Sequence, residues 1–378
     1  MQALNSNNAQ TVIAVTDWHG AIAEQADNAA ENVSYVEAVR ERHWSSKFIR
    51  SSVKGFLPAI PAGAEDIVEG VVSPVITTKP WIYSLATYEE ALSFSVLGLP
   101  TPRSLRQSIL NRLFFRENFL GFCFWSNAGL QTLKNSGVSG SGELLLKSRV
   151  IYPAISRKAN RAEGERNTIL FSGDFFRKGG VNVVDAFERI SEHRDGLVLR
   201  LCCDAELDFN TTDETLRNEY LDKIRMNPKI VLGRVPRRQL LQDILPNALL
   251  YLLPSYDEAF GFAILEAMAE GVPVIATREF AIPEMIDDGE TGWLIDFGPS
   301  DKKRIMNGYV VRAIPEDIRV RMTDDLYSCL VMALGDRRRL SEFGGRAQQV
   351  ARTRFSFELR NESLKNIYQG NSPEVTRL

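Results

Sequence analysis

Pro254-Ser255-Tyr256-Asp257-Glu258-Ala259-Phe260-Gly261-Phe262-Ala263-Ile264-Leu265-Glu266-Ala267-Met268-Ala269-Glu270-Gly271-Val272-Pro273-Val274-Ile275 is the stretch that decides the fold. An apolar run at 249–253 ends at a loop carrying Glu258, and an amphipathic segment carrying Glu266 follows. That segment stops at Gly271, a residue suited to a helix C-terminus because it takes the left-handed conformation at little cost. A second short β-rich run, 272–276, comes next. Strand, loop, helix, strand is one turn of a doubly wound α/β domain, where ligands bind beyond the carboxyl ends of the strands. Glu258 lies there. Glu266 sits on the first turns of the helix between Leu265 and Ala267, an acid in a core-like segment. An unpaired carboxylate is expensive to bury, and ligand hydroxyls would supply a partner.

The same alternation extends outward from 167. Strands are predicted at 168–172, 197–203, 230–233, 249–253, 272–276 and 292–295, and helices at 180–192, 214–225, 237–244 and 262–270. Near-continuous apolar strands separated by helices imply a parallel sheet covered on both faces. The first 150 residues suit a less regular α/β domain. Strands are predicted there at 12–16, 66–72, 80–86 and 122–126, and helices at 34–41, 88–97, 103–117 and 128–135. The division expected is 1–150, 151–355 and a terminal helix within 356–378, with a polar hinge at 156–166. Arg337-Arg338-Arg339 reads as a solvated helix face.

A chain of 378 residues is long for one core, which favours about two domains. A net charge of −3 argues against a dedicated nucleic-acid binder. Cys123, Cys202, Cys203 and Cys329 have no metal or redox spacing, and three scattered histidines offer no metal site. Residues 1–10 are polar, without the basic and apolar regions of a signal peptide. No apolar run reaches the roughly 18 residues of a spanning helix. A cytoplasmic protein is expected, with peripheral contact at the cytoplasmic membrane face left open.

The glutamate pair, with Pro-Ser before it and Glu-Ala-Met-Ala-x-Gly-x-Pro-Val-Ile-Ala after, resembles the signature of retaining glycosyltransferases of family 4. Pro283-Glu284-Met285-Ile286-Asp287-Asp288-Gly289-Glu290-Thr291-Gly292 and Phe171-Ser172-Gly173-Asp174-Phe175-Phe176-Arg177-Lys178-Gly179-Gly180 resemble two further stretches of that family. The likeness covers roughly 150 to 370 and is faint before it. It implies the GT-B fold: two Rossmann-like domains, with donor on the C-terminal side and acceptor on the N-terminal side. It implies transfer of a sugar from a nucleotide-diphosphate sugar to a glycan, lipid-linked or small-molecule acceptor. No cofactor is implied, and no Asp-x-Asp motif is present to hold a metal.

By this resemblance Lys178 contacts the donor diphosphate, with Arg177 as second cation and Gly173 and Gly179 allowing close approach. Glu266 takes the ribose hydroxyls. Glu258 bonds the sugar, joined by the backbone of Phe260, Gly261 and Phe262. The turn with Arg234 and Val235 receives the base, and Tyr256 either packs on that base or belongs to the core. The family has an arginine where Asp174 stands, and Gly-Gly after the first strand where this chain has Asp17-Trp18-His19-Gly20. His19, beside Gly20, either stabilises charge near the donor or is an exposed loop residue. Two alternatives stay open: a catalytically silent sugar-nucleotide-binding subunit, and a hydrolase or epimerase of nucleotide sugars.

Overall fold

The structure, a computed structural model, describes residues 10–18, 20–51, 58–60, 63–156 and 166–368. They divide into two compact units, one within Met1–Ile155 and Phe355–Leu378, the other within Ser156–Arg354. No helix among the described residues is long and apolar enough to cross a membrane.

The first unit is built on six parallel strands: β1 (Thr11–Val15), β2 (Val33–Glu37), β3 (Ile67–Val71), β4 (Trp81–Leu85), β5 (Phe119–Phe124) and β6 (Ser148–Val150), in the order β6-β5-β4-β3-β1-β2. β3 and β4 are buried throughout, as central parallel strands covered on both faces must be. Helices α1 (Gly20–Asp27), α2 (Arg103–Phe114) and α3 (Asn127–Lys134) are joined by the C-terminal helix, Phe357–Tyr368. Leu364, Ile367 and Tyr368 of that helix share a core with Ile13, Val15 and Ile22. Its buried Arg360 donates to Gln25 Oε1 at 2.8 Å and to the carbonyl of Tyr152 at 3.2 Å. Each donor that burial strips of water therefore finds a carbonyl or amide acceptor.

Two expectations for this unit fail. Residues 34–41 are not helical: Val33–Glu37 is an edge strand, in register with β1 from Thr11↔Val33 onward. Branched and aromatic side chains favour a pleated surface, and the open edge of β1 decides the matter. The helix expected at 88–97 ends after Ala91, and Phe94–Val96 pairs antiparallel with Ile49–Ser51. Leu97 at φ 57 and Gly98 at φ 75 turn the chain away from it.

The second unit holds β7 (Thr168–Ser172), β8 (Val198–Cys202), β9 (Ile230–Leu232), β10 (Leu250–Leu253), β11 (Val274–Thr277) and β12 (Gly292–Ile295). All are parallel, in the order β9-β8-β7-β10-β11-β12. Each strand falls within a residue or two of its predicted span. Helices are α4 (Gly180–Ser191), α5 (Glu214–Met226), α6 (Phe262–Ala269), α7 (Pro299–Ile305), α8 (Glu316–Gly335) and α9 (Arg337–Arg354). α8 packs on α4 and α9 on α6. Strand order reverses between β7 and β10, so the loops leaving their carboxyl ends diverge and open a crevice there.

Glu90 stands just beyond β4 and accepts from the Ala86 amide at 3.3 Å. Burial pushes its carboxyl up to about 7, against the pull of the Ala86 and Thr87 amides. The folded state therefore binds more protons than the unfolded chain above the ordinary 4.5, and stability falls as pH rises from there towards 7. Glu90→Gln is expected to match wild type near pH 4.5 and to exceed it at pH 8 by on the order of 1–3 kcal/mol. Calorimetric unfolding across that range checks this, and a pH-independent difference would refute it.

Candidate functional site

The loop after β7 begins at Gly173, whose φ of 108 is open to glycine. Asp174 closes it: Oδ1 accepts from the Arg177 amide at 3.0 Å and its carbonyl from the Lys178 amide at 2.9 Å. The acid standing where the resembled family has an arginine is thus a turn-former. Gly179 follows at φ 77, and a Cβ there would lie 2.1 Å from the Pro254 carbonyl oxygen. That contact brings the β7 loop against the β10 loop. The amides of Gly179 and Gly180 close the turn, donating to Phe176 O at 3.2 Å and Phe175 O at 2.7 Å. The glycines' contribution here is closeness, and the ligand-facing chemistry rests on side chains.

Across the contact, Lys178 Nζ donates to Glu258 Oε2 at 2.6 Å and to the carbonyl of Asp257 at 3.0 Å. Both side chains of the pair are 12% exposed, so the pair is shielded while still open to a ligand. Arg177 Nη1 lies 3.6 Å from Asp257 Oδ2, and Lys302 Nζ lies 2.6 Å from Asp257 Oδ1 and 2.5 Å from Glu279 Oε1. Burial pushes the Glu279 carboxyl up while Lys302 pulls it back. Tyr256 is wholly buried. Its hydroxyl donates to Asn182, and its ring lies 5.7 Å from that of Phe297. Its place among the base-binding candidates is therefore corrected: it is a core residue that ties the β10 loop to α4.

Helix α6 starts at Gly261, φ 100, with no side chain capping it, and a Cβ there would meet Met285 Cε at 2.8 Å. A helix start of this kind favours anions and hydroxyl oxygens. Phe260 is buried and Phe262 half-buried, with ring centroids 5.2 Å apart. Glu266 projects from α6 with its side chain 7% exposed, and its partner is the 58% exposed Arg237. The Arg234–Val235 turn beyond β9 carries an exposed Arg234 and a half-buried Val235.

Residues 154–307 match the family described as Glycosyl transferases group 1. That stretch thus resembles a glycosyl transferases group 1 domain. Among curated proteins, the chain is 29% identical over 178 residues to an uncharacterized 41.2 kDa protein in the cps region of Klebsiella pneumoniae, covering 44% of this chain and 46% of that one. It is 35% identical over 117 residues to N-acetyl-alpha-D-glucosaminyl L-malate synthase of Bacillus anthracis, covering 31% and 28%. It is 31% identical over 162 residues to D-inositol 3-phosphate glycosyltransferase of Paenarthrobacter aurescens, covering 40% and 38%. The chain spans less than half the length of these relatives. The crystal structure of Anabaena HepE in complex with UDP superposes with a TM-score of 0.59 at 14% identity, covering 94% of this chain and 98% of that one. With two parallel-stranded α/β units in one chain, the fold is GT-B.

Within 154–307 the structure brings together Arg177, Lys178, Gly179 and Glu258. His19 lies outside the described residues, and Gly20 is the exposed first residue of α1. Sequence reading missed Arg237, Asp257, Glu279 and Lys302. Asp257 was within reach, as the acid beside Glu258. Arg237 and Lys302 carry no local signal, since charged residues near helix starts and ends are ordinary. Gly179→Ala is expected to destabilise the domain by about 2–4 kcal/mol, because the new Cβ both strains a left-handed backbone and collides with the Pro254 carbonyl. Denaturant unfolding measures it, and a loss below about 0.5 kcal/mol would show that the two loops need no such approach.

Proposed function

We propose that this protein is a retaining glycosyltransferase that moves a sugar from a nucleotide-diphosphate sugar to a hydroxyl acceptor. The observation that carries the reading is the Lys178–Glu258 pair, held where the loops of β7 and β10 meet at the strand-order reversal, next to the uncapped start of α6. A diphosphate needs cations, and Lys178 and Arg177 supply them. On donor binding Lys178 passes from Glu258 to the diphosphate, and Glu258 turns to the hydroxyls of the sugar. Glu266 exchanges Arg237 for the ribose diol, two donors that a carboxylate accepts together. The C1–oxygen bond to the diphosphate breaks, its electron pair leaves on that oxygen, the acceptor oxygen bonds C1 from the vacated face, and the acceptor's hydroxyl proton passes to the departing diphosphate oxygen. Fixed cations stabilise the charge that develops on the leaving group.

In this reading 151–355 holds the donor, 1–150 the acceptor, and no metal ion takes part. HepE was solved in complex with UDP and glucose, which supports a nucleoside diphosphate of that kind as donor part. Glycan or polysaccharide synthesis in the cytoplasm is the setting proposed. Membrane contact is supported by exposed apolar residues of the first unit: Trp44 at 68%, Phe48 at 46%, Leu97 at 61% and Leu99 at 64%. Arg40 and Lys47 are exposed on the same segment. Aromatic rings flanked by cations suit an anionic lipid surface. Co-sedimentation with phosphatidylglycerol vesicles is expected, with Trp44→Ser lowering it; equal sedimentation with neutral vesicles would count against that contact.

Sugar transfer is expected from at least one donor in a panel of UDP-, GDP- and ADP-sugars, in the presence of EDTA. Glu266→Ala is expected to abolish transfer and leave folding intact, because its exposed partner Arg237 is simply solvated. Lys178→Ala is expected to weaken nucleoside diphosphate binding by about 1.5–3 kcal/mol, as loss of a charge-assisted hydrogen bond does. Calorimetry and product analysis read both. Release of free sugar without transfer would favour hydrolysis, and transfer lost in EDTA but restored by magnesium would remove metal independence.

A further inference from the structure

Asp257 is a competitor for one of the cations assigned to the diphosphate. Its Oδ2 faces Arg177 at 3.6 Å, with side-chain exposures of 17% and 29%. A half-sheltered carboxylate this close to a guanidinium forms a short salt bridge wherever nothing else neutralises it. Here something does. Lys302 Nζ sits 2.6 Å from Asp257 Oδ1, the shorter of the two contacts, while also serving Glu279 at 2.5 Å. Lys302 comes from α7, beyond the last strand of the sheet, and reaches no residue assigned to the donor except through Asp257. The carbonyl of Asp257 receives Lys178 at 3.0 Å, so the same residue stands beside both cations.

We infer that Lys302 is a positioning residue that neutralises Asp257, leaving Arg177 available to an incoming diphosphate. The inference rests on the nucleotide-sugar reading of the site. The charges facing this cluster are Arg177, Lys178 and Lys302 against Asp257, Glu258 and Glu279. When the donor arrives, Lys178 and Arg177 turn to the diphosphate. Asp257 is then left next to a dianion, and Lys302 is the cation among these six groups that stays with it. Without Lys302, Asp257 holds Arg177, and the diphosphate must both break that pair and sit beside an uncompensated carboxylate. Lys302 thus acts on donor affinity without touching the donor.

The test is calorimetric titration of the full chain with UDP, and with GDP and ADP in parallel, for wild type and for Lys302→Gln, Asp257→Asn and the double variant. Lys302→Gln is expected to weaken binding about tenfold, the factor carried by one charge-assisted hydrogen bond. Adding Asp257→Asn to it is expected to restore binding to within about threefold of wild type, because the competitor loses its charge. A lysine that only held the fold together would not be rescued by removing its partner's charge. Lys302→Arg is expected to bind as wild type does. If Lys302→Gln fails to fold, Asp257→Asn alone decides: unchanged or tighter UDP binding supports the inference, and a tenfold loss overturns it. Unchanged binding in Lys302→Gln, or a double variant as weak as the single, also overturns it while leaving the proposed function standing. Wild type that binds none of the three nucleotides removes the proposed function and this inference together.

Discussion

Parallel strands all end at the same edge of their sheet, and the reversal of strand order between β7 and β10 forces two of the resulting loops apart at that edge. The site depends on this constraint. Gly179 lets the loops touch again, at the backbone of Pro254, and from that contact Lys178 reaches Glu258, 80 residues away along the chain. A side chain at Gly179 would push the loops apart. The cations, the acidic β10 loop and the start of α6 therefore owe their arrangement to one close backbone approach, as well as to their own identities.

Beneath the loops lies a polar seam that fixes them. Asn182 of α4 accepts from the Tyr256 hydroxyl and donates to Thr323 Oγ1 and the Arg319 carbonyl of α8, each at 2.9 Å. The seam is buried and its members satisfy one another, so it holds α4, α8 and the β10 loop in one relation. The first unit uses the same device elsewhere. Arg360 of the C-terminal helix, bound to Gln25 and Tyr152, sets that helix on β1 and α1 more specifically than its apolar face could alone.

The charge pattern around the site is balanced rather than cationic. Lys178 already has an acidic partner in Glu258, and Asp257 beside Arg177 is neutralised by Lys302, which offsets the cost of holding like charges close together. Binding a nucleotide then becomes an exchange of partners. Such an exchange favours ligands that return a partner to every acid they displace, as a diol does for Glu266 and sugar hydroxyls do for Glu258. A bare phosphate returns none.

Much of this was written in the linear sequence. The strands of the second unit could be placed because each is a short apolar run between helices of matching period; Glu266 stood out as an acid among apolar neighbours, and Glu258 as an acid in the loop beyond a strand end. The first unit was less legible. Its edge strand at Val33–Glu37 and its short antiparallel pairing at Phe94–Val96 are fixed by which neighbouring strand lies open, a fact that no local pattern contains. The site divides in the same way. Sequence named Lys178, Arg177 and the two glutamates, because the motif around them is local. Only the fold decided that Tyr256 is core, that the amides of Gly179 and Gly180 close a turn, and that Glu266 rests on Arg237 and Asp257 on Lys302. Those pairings join loops and helices that are remote in sequence, and charge complementarity has no spacing rule until the backbone has brought the partners within a few ångströms.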